Sequence, residues 1–209
     1  MKKAPFEAFT ITVNGKAPSL VTSVLIFPPV SEEEIDNAEN ISVNAIWDTG
    51  ATRTCIHPKV AKQLKLSPVG QAVMKTAGKT CSTYTYLANI ILPNRLLITT
   101  VLLTALDEEA EPECLIGMDI IGMGDFSVSS FEGNSCFTFR YPSYKKIDFV
   151  AEHLKIVFGG TQPYHACPCG AKYPNGLPVK YKDCHKKVVD NPPTTVDLLP
   201  DNGKRAKLI

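Results

Sequence analysis

Ile41-Ser42-Val43-Asn44-Ala45-Ile46-Trp47-Asp48-Thr49-Gly50-Ala51 is a largely alternating run that ends in an acid, a hydroxyl and a glycine. Alternation over residues 41–47 predicts a β-strand. Asp48 therefore arrives at the end of a sheet, held on rigid backbone, with Asn44 on the same face. Thr49 can hydrogen-bond across such a site, and Gly50 lets backbone approach the carboxylate with no Cβ in the way. An acid followed by glycine after a strand also makes an ordinary turn, so the flanking sequence has to decide.

Upstream, Phe9-Thr10-Ile11-Thr12-Val13 alternates, Asn14-Gly15 is a strong hairpin-turn dipeptide, and Leu20 to Phe27 is β-rich. These signals predict an opening hairpin. Pro28-Pro29 and the acidic residues 31–34 form an exposed loop. Downstream, Pro58 suits the first helical position, and Val60, Ala61 and Leu64 give a narrow apolar stripe for a short helix. Cys55 and His57 could be imagined as a thiolate and its base, but a core cysteine beside a helix-start histidine is the reading taken here.

Residues 69–76 and 81–91 are again β-rich around Ala77-Gly78-Lys79, which predicts a hairpin with a flexible tip. A strand over residues 96–104 and an acidic loop over 107–113 follow. Then comes Cys114-Leu115-Ile116-Gly117-Met118-Asp119, in which apolar residues meet a glycine before a single helical turn, and Gly124-Asp125 leads into a new strand. Asp119 and Asp125 each follow a glycine-bearing turn, where capping or ion pairing is their expected work.

The order Asp48-Thr49-Gly50-Ala51, short helix, glycine-tipped hairpin, Leu115-Ile116-Gly117-Met118-Asp119 and Gly124-Asp125-Phe126 resembles the retropepsin-type aspartic proteases, especially their bacterial and phage-like single-lobe members. The likeness covers roughly residues 5–150. It implies an all-β fold, a small closed acid-protease barrel with short helices, in which two copies each supply one Asp-Thr-Gly loop. Asp48 would be the catalytic acid, Thr49 the hydroxyl that links the two loops, and Gly50 the close-packed backbone beside them. Ala77, Gly78 and Lys79 would form the flap over the substrate. Leu115, Ile116 and Gly117 would pack under the active loop. Three features depart from the family: Trp47 stands where a smaller apolar residue is usual, the flap has few glycines, and the chain continues past the last barrel strand. The first two bear on substrate fit and flap motion, the third on dimerisation through terminal strands.

The composition changes beyond Gly159-Gly160. Residues 151–163 read as a linker, residues 164–189 as a separate module, and residues 190–209 as a polar tail expected to be disordered. Whether 147–158 is helix or strand stays open at this stage. Cys167-Pro168-Cys169-Gly170 and Cys184-His185 supply four soft or borderline ligands in two knuckles, a set that suits structural zinc. With Tyr181-Lys182-Asp183 before the second knuckle, it is similar to the zinc tail motif of the SecA preprotein translocase and its fused relatives (the SEC-C motif), with a longer insert, residues 171–180, expected to loop outward. His165 is a spare candidate ligand.

Lysine and arginine nearly balance aspartate and glutamate, for a net charge of +1, so charge gives no argument for a nucleic-acid or membrane-surface partner. The lysines of the last third leave weak ribosome or nucleic-acid contact as an expectation for the zinc module. No uninterrupted apolar region follows Lys2-Lys3, and the run from Leu96 to Leu106 is too short to span a bilayer, so no membrane partner and a cytoplasmic address are expected. Seven cysteines, an odd number, fit reduced thiols and a metal site better than a disulfide framework.

Together these readings predict a homodimeric aspartic endopeptidase acting on peptide or protein substrates, with structural zinc in the tail and no cofactor for catalysis. The alternative is a dimeric peptide-binding or adaptor protein that keeps the barrel and recruits through the zinc module. An intact Asp-Thr-Gly favours the enzyme, because a binding module has no need of the acid.

Overall fold

The computed structural model describes residues 5–76, 79–93 and 95–190. Ten strands are assigned among them: β1 (Glu7–Val13), β2 (Val21–Phe27), β3 (Ile41–Trp47), β4 (Cys55–Ile56), β5 (Gly70–Thr76), β6 (Lys79–Ile91), β7 (Leu97–Ala105), β8 (Cys114–Ile116), β9 (Asp125–Ser129) and β10 (Ser135–Tyr141). Four short helices join them: α1 (Pro58–Gln63), α2 (Met118–Ile121), α3 (Phe149–Phe158) and α4 (Lys186–Asp190). The chain divides into two compact units, one up to Lys146 and one from Ile147 on.

In the first unit, hydrogen-bonded neighbours run β2-β3-β8-β4-β7-β6, and β6 pairs back onto β2. Six strands thus close on themselves, which removes sheet edges from the ring. This is the all-β barrel that the sequence leads one to expect. The pairs β3/β8 and β4/β7 are parallel; the others in the ring are antiparallel. β5 lies outside the ring and pairs only with β6 among the described residues, making a hairpin in the register Gly70↔Thr85 to Thr76↔Lys79.

Period-two alternation fills the barrel. Val24 and Ile26 of β2, Val43 and Ala45 of β3, Ala88 and Ile90 of β6 and Leu103 of β7 point inward and are buried. Burying each large apolar side chain is worth about 1.5–3 kcal/mol relative to leaving it exposed. α1 closes one part of the core with Val60, Ala61 and Leu64, as its apolar stripe requires.

The expected opening hairpin does not form. β1 pairs instead with β10, from Glu7↔Tyr141 to Val13↔Ser135, and β10 pairs with β9. Pro18 lacks the N–H that a ladder needs, and residues 14–20 are too long a link for the two-residue turn. Gly15 bonds to the other partner: its N–H donates to Asn134 Oδ1 at 2.9 Å, and its carbonyl accepts from Ser135 N–H at 2.9 Å.

Trp47 explains how this second sheet joins the barrel. Its ring stacks on Phe126 at 5.6 Å and lies 5.5 Å from Phe9 and 5.1 Å from Phe139. Its indole N–H donates to Thr22 Oγ1 at 2.9 Å, so the one polar atom is satisfied inside the core. The unusual Trp47 is therefore a core residue of the first unit.

The second unit begins with α3, which occupies most of the stretch read as a linker. Asp148 Oδ1 caps it by accepting from Ala151 N–H at 3.0 Å. Leu154 and Phe158 are buried against Cys167 and Tyr181. The insert between the knuckles folds back as a small hairpin, with Tyr173 N–H donating to Leu177 O and Val179 N–H to Ala171 O.

Candidate functional site

β3 ends one residue before Asp48, and the loop that follows is tied to the end of β8. Asp48 N–H donates to Ile116 O at 2.9 Å, Met118 N–H donates to Ala51 O at 2.8 Å, and Ala51 N–H closes back on Asp48 O at 3.2 Å. Within this frame Asp48 Oδ1 accepts from Gly50 N–H at 2.8 Å. A Cβ on Gly50 would lie 3.1 Å from that oxygen, so glycine keeps the contact unobstructed. Asp48 is half-buried, while Thr49 and Gly50 are exposed at the loop tip.

The expected support holds the loop from below. Ile116 is fully buried and Leu115 half-buried in β8, and Gly117 follows as the N-cap of α2. A Cβ at Gly117 would stand 2.6 Å from Arg53 O and 2.8 Å from Thr54 N, closer than any real side chain tolerates. Of the expected flap, Ala77 and Gly78 lie outside the described residues; Lys79 opens β6 and pairs with Thr76.

Two residues that the sequence did not mark as a pair complete the loop. Asp119 accepts Thr54 N–H through both carboxylate oxygens at 2.9 Å, Thr54 Oγ1–H at 2.7 Å and Ile120 N–H at 3.0 Å. Thr54 Oγ1 in turn accepts from Gly117 N–H at 3.1 Å. Capping, expected of Asp119, is only part of what it does. The available signal was spacing alone: a hydroxyl six residues after the acid and a carboxylate two after the glycine.

Cys55 and His57 do not form a nucleophilic pair. Burial first, then the charges of Asp119 and Asp48, push the Cys55 thiol up to about 11. His57 Nδ1 accepts from Lys59 N–H at 3.1 Å as the cap of α1, which leaves the ring proton on Nε2 facing Glu108 O at 3.1 Å. Asp125 sits in a separate clamp. Ser143 Oγ–H donates to it at 2.6 Å and Tyr144 N–H at 2.9 Å, and Arg140 Nε–H at 2.6 Å; together they hold its carboxyl well below the usual carboxylate range.

In the second unit, Cys167, Cys169, Cys184 and His185 converge, with their ligand atoms all within 4.8 Å of one another. Cys169 Sγ is 3.6 Å from Cys184 Sγ, and His185 Nδ1 is 3.3 Å from Cys167 Sγ and 3.1 Å from Cys184 Sγ. Tetrahedral zinc with ordinary bond lengths would separate such atoms by about 3.5–3.8 Å; Cys169 and Cys184 stand at that spacing and His185 Nδ1 lies closer to its two sulfurs, so it is the donor chemistry, three thiols and an imidazole on one point, that suits the ion. The His185 ring is oriented by Phe158, which stacks on it at 4.5 Å. His165 is exposed and outside the cluster. All seven cysteines are free of disulfides. Among the described residues no helix is long and apolar enough to cross a membrane.

A family model described as "gag-polyprotein putative aspartyl protease" matches residues 35–123, which hold Asp48, the β5–β6 hairpin, and Gly117 to Asp119. This match, over less than half of the chain, supports an aspartyl-protease-like segment there. Among solved structures, the chain is similar to a retropepsin-like aspartic protease from Rickettsia conorii, with 12% identity, 67% of this chain and 98% of that chain covered, and a TM-score of 0.41. It is also similar to the EIAV protease, with 21% identity, 50% and 86% covered and a TM-score of 0.37. A third is the retroviral protease-like domain of Ddi1 from Leishmania major, with 12% identity, 58% and 95% covered and a TM-score of 0.36. No curated protein matches the chain.

Proposed function

We propose that this protein is an aspartic endopeptidase whose catalytic pair is one Asp48 from each chain of a homodimer. The observation that carries the reading is the Asp48 carboxylate fixed at the end of β3 by Gly50 N–H, in a loop pinned to Ile116 and Met118. Exposure of Thr49 and Gly50 at the loop tip leaves that surface open to a second copy.

Two carboxylates a hydrogen bond apart cannot both ionise, so the pair shares one proton. The ionised Asp48 takes a proton from a water lodged between the two. That water attacks the peptide carbonyl, and the protonated Asp48 stabilises the developing oxyanion. The roles then reverse, and the amine leaves protonated. Thr49 links the two loops, Gly50 keeps backbone beside the pair, and the hairpin around Ala77, Gly78 and Lys79 covers the substrate.

The second unit binds one zinc through Cys167, Cys169, Cys184 and His185. Four protein ligands leave no open position, so the ion orders the module and takes no part in peptide hydrolysis.

Digestion of a peptide library at several pH values, by wild type beside Asp48→Asn, tests the enzyme reading. Cleavage by wild type alone is the expected result. Tight peptide binding without cleavage by either protein would favour the adaptor reading.

A further inference from the structure

Two kinds of bond hold the Asp48 loop to the β8–α2 turn. The first kind is backbone to backbone, Asp48 to Ile116 and Met118 to Ala51, and any sequence of this fold could make it. The second kind is carried by side chains. Thr54, fully buried six residues after Asp48, uses its hydroxyl in both senses, donating to Asp119 and accepting from Gly117 N–H. Asp119 adds the Thr54 N–H and spreads it over both oxygens at equal distance.

We propose that Thr54 and Asp119 are positioning residues for the Asp48 carboxylate, locking the loop from Asp48 to Thr54 onto the turn at Gly117. This deepens the protease reading and rests on it. The bonds of the Asp119 carboxylate go to Thr54 and Ile120, not to Asp48. Its action runs through the backbone. Gly117 abuts Arg53 and Thr54 with no room for a Cβ, so the turn and the loop move as one body. Releasing the Thr54 hydroxyl would orphan the Gly117 N–H and loosen the far end of the loop, which keeps its backbone bonds to Asp119 and Thr104, while the near end at Asp48 stays bonded to Ile116. The carboxylate would then sample positions away from its partner across the dyad, and small displacements of a reacting group cost rate more than they cost binding.

The test uses the full chain with Thr54→Ser, Thr54→Val, Asp119→Asn and Asp119→Ala. Competent sites are counted by titration with a tight-binding statine-type mimic, and kcat and KM are measured on a peptide that wild type cleaves. Thr54→Val and Asp119→Ala should lower kcat per competent site by about 10- to 100-fold with KM within about threefold, whereas Thr54→Ser, which keeps the hydroxyl, should restore kcat to within about threefold. Asp119→Asn keeps one acceptor oxygen and should fall between. A purely structural role would reduce the number of competent sites and leave kcat per site at the wild-type level; that result would overturn the proposal. Should Thr54→Val and Asp119→Ala fail to fold, Asp119→Asn decides alone, and an unchanged kcat per site overturns it equally.

Amide exchange separates this proposal from the protease reading. In the folded chain without substrate, Thr54→Val should speed exchange at the Gly117 and Gly50 N–H groups. If wild type cleaves nothing, the protease reading fails; unchanged exchange in the variant would show that the loop coupling fails as well.

Discussion

The amide of Asp48 donates to the carbonyl of Ile116, so the residue that follows one barrel strand is anchored by the residue that ends its parallel neighbour. The acid is therefore fixed by the pairing of two strands whose partners, such as Trp47 and Ile116, are far apart in sequence, as well as by its own turn through Gly50 and Ala51. Damage to the β8–α2 turn should reach the active loop.

Gly117→Ala is the sharpest such damage. Its Cβ would stand 2.6 Å from Arg53 O and 2.8 Å from Thr54 N, both held by the barrel. The substitution should destabilise the first unit by about 1–3 kcal/mol or more. It should also abolish cleavage in whatever fraction still folds. Urea denaturation and an activity assay check both; a variant as stable and active as wild type would refute the packing account.

Asp125 should make stability depend on pH in one direction. Its folded pKa lies below the unfolded value, so its contribution is fully present above the ordinary carboxylate value of about 4 and is lost as pH falls toward the folded value. Asp125→Asn should cost about 1–3 kcal/mol at neutral pH. The gap between variant and wild type should narrow as pH drops from about 5 toward about 1. Denaturation midpoints across that range are the measurement, and a gap that widens in acid would contradict the clamp.

The zinc assignment predicts one ion per chain by elemental analysis of reduced protein, and none in a Cys167→Ser, Cys184→Ser double variant. Stripping the ion should unfold the second unit, since its buried set is small, only Leu154, Phe158, Cys167 and Tyr181 among the described residues. The barrel's thermal transition and peptide cleavage should be unaffected by chelator. Loss of cleavage on chelation would place the metal in the chemistry and contradict the account.

Because each chain carries one Asp-Thr-Gly, activity per chain should rise with protein concentration until dimers saturate. Mixing wild type with excess Asp48→Asn should suppress activity by sequestering wild-type chains in mixed dimers. Activity per chain that is independent of concentration down to the detection limit, together with no suppression on mixing, would favour a catalytic monomer.

What the sequence revealed follows from how local each signal is. The alternation of Ile41–Trp47, Pro58 at the start of α1 and the two Cys-bearing knuckles are set by near neighbours, and each was legible. The partner of β1 was not, because Asn14-Gly15 advertises a local turn while the ladder that forms joins Glu7 to Tyr141. Trp47 looked misplaced until Thr22 and Phe126 supplied a hydrogen bond and a stacking face. Residues 147–158 read as either helix or strand, and 151–163 read as a linker because they hold Gly159-Gly160; the helix gains its burial from Cys167 and Tyr181, further along the chain. Thr54 and Asp119, 65 residues apart, meet only once β4 and β8 have paired.

The central claim is that Asp48 is the catalytic acid. Its most direct test is the rate of peptide cleavage by wild type and Asp48→Asn, from acidic to neutral pH, at concentrations where both are demonstrably dimeric. The amide keeps the size of the side chain and an acceptor for Gly50 N–H, so fold and dimer should persist while the shared proton is gone. The account predicts cleavage by wild type and a loss of at least about 1,000-fold in the variant. Equal rates for the two proteins, or no cleavage by dimeric wild type at any pH in that range, would contradict it.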